Sequence, residues 1–273
     1  MHLAFMTFAT PDWGLEQHLA GAIRYGYDGI EPRTVCGHKH GLELGLTKAQ
    51  RADVKSSFAA CGVRLSAVAT SLSYAFPDPA EVDRKVEETK KYLQLASDLG
   101  SPVLRVFGGQ PPDDSLARPA VHEIVAGALS RCAQTAADCH VGIAVETHGY
   151  FRRGEDLIQV LEAVNHPRVG ANWDFMYSFR YGEPLAVSYG YLQGRILHSH
   201  VHDAIWPEDN PDDCTMVPMG TGSVPHLEAI RLMAAEPADI ALSLEWGSAD
   251  PPEVVLPREA AMLREYLAEA MGG

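Results

Sequence analysis

The chain has 273 residues, 46% of them hydrophobic and 21% charged, with a formal net charge of −14 and a pI near 5.2. That is an ordinary soluble composition, and its acidic balance argues against a general DNA or RNA binder, which needs a basic footprint. No apolar run approaches the roughly 18 residues of a transmembrane helix. The opening MHLAFMTF lacks the basic and apolar regions of a signal peptide, so a cytoplasmic protein with no membrane partner is expected. Cys36, Cys61, Cys132, Cys139 and Cys214 form no CxxC pair, an odd set that fits a reducing compartment.

In chain order, Leu3 to Phe8 reads as a first strand and residues 14–25 as a helix stopped by Gly26. Tyr27 to Glu31 is a second strand, followed by Pro32, Arg33 and a loop carrying His38 and His40, either at the surface or lining the barrel mouth. A helix over about 47–61 leads to strand three, Val63 to Thr70. Asp78-Pro79-Ala80-Glu81 opens the next helix with a cap, a proline at the first helical position and an early acid. Gly100 ends it, and Val103 to Phe107 is strand four. A long helix fills about 117–139. Strand five is the apolar run VGIAVETH from Val141 to His148. A helix at 155–164, strand six at Val169 to Asp174, a helix at 184–192 and strand seven at Arg195 to Val201 follow. A polar loop over about 203–219, a helix at 224–235, strand eight at Ile240 to Glu245 and a helix at 253–271 complete the chain.

Eight strands alternating with eight helices imply parallel strands joined by crossover helices. A (β/α)₈ barrel takes about 250 residues, so one TIM-barrel domain over 1–273, of the α/β class, is expected. Neither GxGxxG after the first strand nor GxxxxGK[ST] is present, which removes the usual nucleotide-binding open sheets.

In such barrels the chemistry sits at the C-terminal ends of the strands. Strands five to eight deliver Glu146, Asp174, His200 and Glu245 there. A lone acid after a buried strand is often a helix cap; four strands in succession ending this way are hard to explain so. Three carboxylates with one imidazole make a hard oxygen and nitrogen set that suits Mn²⁺, with Co²⁺, Mg²⁺ or Zn²⁺ as alternatives. His198 and His202 share the face of His200 by the two-residue period and are supporting groups or alternative ligands. His148, two residues past Glu146, is a candidate base, substrate contact or packed histidine. Arg33 and Arg105 are candidates to bind a polar substrate or to pair with acids. Trp206 offers a stacking wall for a sugar ring, or core packing.

Taken in order, GYDGIE at 26–31, ETH at 146–148, HPRVGANWD at 166–174, HSHVHD at 198–203, GTG at 220–222 and SLEW at 243–246 resemble the xylose-isomerase-like sugar isomerase and epimerase superfamily over essentially the whole chain. The resemblance implies a divalent ion held by Glu146, Asp174, His200 and Glu245. It departs from the ketose 3-epimerase pattern at Tyr177, where a histidine is usual, in HDAIW, which lacks an arginine, and at His202, which replaces lysine. The superfamily also holds keto-inositol dehydratases and the metal-binding subunit of enzymes that cleave 3-keto-glycosides by β-elimination. That last group implies a base just past the first metal glutamate, the place of His148.

The expected function is therefore proton abstraction next to a sugar carbonyl through a metal-stabilised enediolate, with His148, Glu245 and Glu146 as catalytic candidates. Isomerisation or epimerisation leads; a lyase with the same chemistry is the alternative. Glu31, Arg33, Arg105, Tyr177, His202 and Trp206 are the candidate substrate contacts. A small sugar or keto-sugar is the expected ligand, with a homo-oligomer, or a partner subunit completing the pocket, left open. A metal-dependent phosphodiesterase would want more strand-end histidines and a basic face, and a non-catalytic barrel would have no need of a complete ligand set.

Overall fold

A computed structural model describes residues 1–113, 116–247 and 250–272. The strands are β1 His2–Met6, β2 Gly29–Glu31, β3 Arg64–Leu65, β4 Val68–Ala69, β5 Val103–Phe107, β6 Gly142–Glu146, β7 Val169–Asp174, β8 Ile196–Val201, β9 Asp203–Ile205, β10 Thr215–Val217 and β11 Ala241–Leu244. The helices are α1 Leu15–Tyr25, α2 Lys48–Cys61, α3 Pro79–Leu99, α4 Arg118–Asp138, α5 Gly154–Val164, α6 Phe175–Arg180, α7 Leu185–Leu192, α8 His226–Met233 and α9 Pro252–Ala270.

One parallel sheet runs in the order β3-β2-β1-β11-β8-β7-β6-β5-β4. Because β3 and β4 are the two halves of the expected third strand, the order returns on itself and closes a barrel. The halves part at Ser66 and Ala67, β3 pairing with β2 and β4 with β5. A single bridge from Arg33 to Ala69 carries the first pairing across the break.

Local chemistry sets the helix ends. Asp78 caps α3 by accepting from the Ala80 N–H at 2.9 Å, and Pro79 stands at the first helical position. Gly26 and Gly100 end α1 and α3 at φ of +78° and +84°, where a side chain would be strained. Three elements were not foreseen. The short α6 follows β7 directly, and the loop after strand seven contains the antiparallel pair β9 and β10. His40, expected at the surface or the mouth, is buried: its Nε2 donates to the Arg33 carbonyl and its Nδ1 accepts from the Leu42 N–H.

Alternation along β5 shows how the layers divide. Leu104 and Val106 join the apolar layer between sheet and helices, while Val103, Arg105 and Phe107 face the barrel interior with their register partners Gly142, Ala144 and Glu146. Low in the interior, Ala67, Val103 and Ala144 pack with Leu197 as a small plug. Above it the filling turns polar: Glu31, Arg105, Asn172, His198, His200 and Ser243 are all at most 1% exposed. Barrel interiors are ordinarily filled with branched apolar side chains, so this polar layer marks where a site stands on the fold. No helix among the described residues is long and apolar enough to cross a membrane.

Candidate metal centre and mouth cavity

The four strand-end residues meet. Glu146, Asp174, His200 and Glu245 each turn one oxygen or nitrogen into a cluster whose atoms all lie within 4.8 Å of one another. Parallel pairing does the work: Asp174 is the register partner of His200, and Glu146 that of Asn172. Glu245 follows β11 directly, its N–H donating to the Val201 carbonyl.

His200 is fixed from both sides. Its Nε2 lies 3.0 Å and 3.2 Å from the two oxygens of Glu31, so that nitrogen carries the proton and donates. Its Nδ1 is 3.3 Å from both Glu146 Oε2 and Glu245 Oε2. The Asn172 amide, 3.1 Å from Nδ1 and 3.2 Å from Glu146 Oε2, donates into the same space. It can donate to Nδ1 only while that nitrogen is unprotonated, the form a metal ligand takes.

Glu31 was expected to touch substrate. Its carboxylate is instead enclosed and occupied, accepting from His198 at 2.8 Å, from His200 and from the Ser243 hydroxyl at 2.6 Å. A carboxylate behind a histidine orients the ring and raises its basicity, the usual arrangement behind metal-ligating imidazoles. Arg105 likewise faces an acid, its Nε 3.1 Å from Glu146 Oε2, while Nη1 donates to the Thr70 carbonyl. The His202 Nε2 lies 3.1 Å and 3.0 Å from the Asp174 oxygens, but its N–H is directed at Oδ1, leaving buried Oδ2 without a donor.

The electrostatics follow. Burial pushes the His200 imidazole down, but Glu31, Glu146 and Glu245 overrule it and hold its pKa well above the usual value. Burial pushes Glu146 up, and Arg105 and His200 bring it below the ordinary carboxylate range. Glu245 is also lowered, chiefly by His200 working against burial. A group of carboxylates this close calls for a proton or a divalent cation at its centre. The donor set of three carboxylates and one imidazole, with an orphaned Asp174 oxygen, fits the cation.

A cavity of about 210 Å³ is lined by Ser71, Ser73, Phe107, Gln110 and His148, with Gly109 and Gly149; none of the four cluster residues lines it, and Phe107, the register partner of Glu146, connects the two. The His148 ring stands between Phe107 and Tyr177, at 5.0 Å and 4.5 Å between ring centroids. Neither of its nitrogens bonds to another described residue. Burial, and then Asp174 and Glu245, push the Tyr177 phenol well up, so it stays protonated. Trp206 was expected at a sugar pocket; it packs against Phe179 at 6.2 Å and is not among the lining residues of this cavity.

Sequence reasoning assigned no role to Asp203 and Glu183, which build the frame. Asp203 accepts from the N–H groups of Ala204, Gly220, Gly222 and Val224 at 2.9–3.2 Å. A Cβ on Gly222 would stand 2.2 Å from Asp203 Oδ1, so the GTG segment keeps glycine to let the carboxylate approach. The aspartate at the end of HSHVHD and the distant GTG were the available signal. Glu183 accepts from the N–H groups of Gly154 and Glu155 at the start of α5, a link no spacing announces.

A parallel barrel with a carboxylate and imidazole cluster at its C-terminal mouth defines the class. The chain belongs to the xylose isomerase-like TIM-barrel family, which matches residues 19–266. Among solved structures, L-ribulose 3-epimerase superposes with a TM-score of 0.81 at 15% identity, over 99% of this chain and 95% of that one. The IolI protein with a bound zinc atom gives 0.80 at 19% identity, over 99% and 98%. The probable 3-DHS dehydratase AsbF of Bacillus anthracis gives 0.79 at 19% identity, over 97% and 99%. At these identities the likeness is one of fold. No curated protein matches the sequence.

Proposed function

We propose that this protein is a divalent-metal-dependent enzyme that moves a proton on the carbon next to a sugar carbonyl, giving isomerisation or epimerisation. The observation that carries the reading is the convergence of Glu146, Asp174, His200 and Glu245 beside a small cavity that presents the free imidazole of His148. Mn²⁺ suits that donor set best. A bound divalent ion supplies Lewis acidity, polarising a carbonyl oxygen and offsetting negative charge on the substrate.

The chain's own groups do the rest. His148, unbonded and flanked by Phe107 and Tyr177, takes the proton at one of its ring nitrogens. Glu245, whose side chain is 20% exposed where those of Glu146 and Asp174 are at most 1%, returns or accepts a proton at its outer oxygen. Two proton carriers of this kind allow a carbon to be reprotonated with inversion. Tyr177 donates a hydrogen bond from its protonated phenol. Glu31, Arg105, Asn172 and His202 hold the cluster's carboxylates and imidazole in place.

A second reading, elimination of a β-substituent from the same enediolate, is favoured by one observation. Tyr177 stands where ketose 3-epimerases carry a histidine, and a phenol kept protonated suits a leaving oxygen better than it suits reprotonation of carbon. Both readings are tested by incubating the metal-loaded protein with a panel of keto-sugars and keto-inositols in D₂O. The ion is stripped with EDTA and the products read by proton NMR. Deuterium next to a carbonyl in a rearranged sugar supports the isomerase, an unsaturated product supports the lyase, and no exchange with any compound sinks both.

A further inference from the structure

Arg33 is only 6% exposed, yet among the described residues no carboxylate lies within ion-pair distance of it. Arginine is almost never this buried without such a partner. Arg105, by contrast, has Glu146. Arg33 Nη1 donates to the Thr34 carbonyl at 3.0 Å, Nη2 donates to the Ser71 hydroxyl, the guanidinium lies 5.8 Å from the Phe8 ring centroid, and among the described residues Nε has no hydrogen-bond partner. A guanidinium offers five N–H groups in a rigid fork, so most of its donor capacity is unused.

Its place is informative. Ser71 lines the cavity that also presents His148 and accepts from Nη2, so the guanidinium stands directly behind that residue of the cavity's lining. Burial, and then the Arg105 cation, lower the Arg33 pKa from its usual value, so a charge without an acid is costly there. Such a cost persists where an incoming group relieves it.

We propose that the substrate carries a carboxylate, and that Arg33 binds it at the edge of the His148 cavity; this rests on the proton-transfer reading above. The planar fork of arginine matches a carboxylate through two parallel N–H bonds. A phosphate is ordinarily gripped by a helix N-terminus or a nest of backbone N–H groups, and among the described residues no α-helix N-terminus lines this cavity. At about 210 Å³ the cavity is below the range of drug-sized pockets and suits one compact unit. The substrate class is therefore a compact polyhydroxy acid with an aldehyde or ketone, the carboxylate at the end remote from the reacting carbonyl.

The test compares compounds that differ at one end only, using the Mn²⁺-loaded full chain and calorimetry. The pairs are 5-keto-D-gluconate with L-sorbose and D-galacturonate with D-galactose; L-sorbose 6-phosphate is the phosphate arm. The expected result is that at least one acid binds about 10–100-fold more tightly than its neutral counterpart, the range for a charged hydrogen-bonded contact. Arg33→Gln abolishes the preference, Arg33→Lys keeps part of it, and Mn²⁺ affinity is unchanged in both. The wild-type comparison stands even if a variant folds poorly. No preference for either acid, a preference for the phosphate alone, or a preference that survives Arg33→Gln overturns the proposal. Deuterium exchange on the same samples separates it from the parent reading. Exchange without acid preference leaves proton transfer standing, whereas Arg33-dependent acid binding without exchange with any compound leaves the carboxylate site and removes the proton transfer.

Discussion

Glu31 and His200, 169 residues apart, bind one another inside the barrel, with Nε2 of the imidazole 3.0 Å from Oε1 of the carboxylate. That contact fixes the ring so that Nδ1 is the nitrogen offered to Glu146 and Glu245. The rest of the site is arranged around it.

Glu31→Gln is expected to leave the fold intact and to weaken Mn²⁺ binding about 10–100-fold, as loss of a carboxylate behind a metal-ligating histidine does. Calorimetric titration with Mn²⁺ measures it. An unchanged affinity would show that the carboxylate orients nothing that matters to the ion.

Adding the ion is expected to stabilise the protein. At 100 times its Kd a bound metal contributes about 2.7 kcal/mol, several degrees in Tm for a chain of this size. Asp174→Asn and His200→Ala should remove most of that shift. A thermal scan in which the wild type and both variants respond alike to Mn²⁺ would place the ion elsewhere.

His148→Gln should lower kcat by about 10²–10⁴-fold, the range for a lost general acid or base, with metal content unchanged. Metal analysis and solvent exchange on one preparation separate the outcomes. Full metal with normal exchange returns the proton transfer to the glutamates; lost metal makes His148 a support of the cluster.

His18 gives a pH dependence away from the metal. Burial pushes its imidazole from 6.5 down to about 4. The unfolded chain therefore binds a proton between those values that the folded chain does not. Its contribution is intact above pH 6.5, is lost progressively as pH falls toward 4, and amounts to roughly 3 kcal/mol when complete. Urea unfolding at pH 7.5 and 4.5 should show a smaller acid loss for His18→Asn than for the wild type. Equal losses would count against this assignment.

Asp203→Ala should destabilise the fold by several kcal/mol, because it strands backbone N–H groups that cost about 1–3 kcal/mol each when buried without an acceptor. Gly222→Ala should destabilise through the same contact, since its Cβ would press on Asp203. Denaturant unfolding of both decides it; wild-type stability in either would remove the frame role assigned to the HSHVHD and GTG segments.

The alternation of strands and helices was legible in the sequence, because a buried parallel strand is a short apolar run and helix caps are local chemistry. Gly26, Gly100 and Asp78 ended or opened elements as their backbone preferences require. The same runs gave the meeting of Glu146, Asp174, His200 and Glu245, since each strand ends at its acid or carries its histidine and parallel strands bring their ends to one face. Their role toward an ion and a substrate is a matter for the experiments above. What the linear pattern could not supply was who faces whom across the barrel. Glu31 reads as a free strand-end acid like the others, and only closure turns it onto His198 and His200. Trp206 reads as a mouth residue or as packing, and its contact with Phe179 joins a loop to α6 across 27 residues. Arg33 reads as one charge among many until the fold encloses it without an acid. Periodicity encodes which face a residue takes; the partner on that face is set by closure of the sheet and by loops whose contacts span the chain.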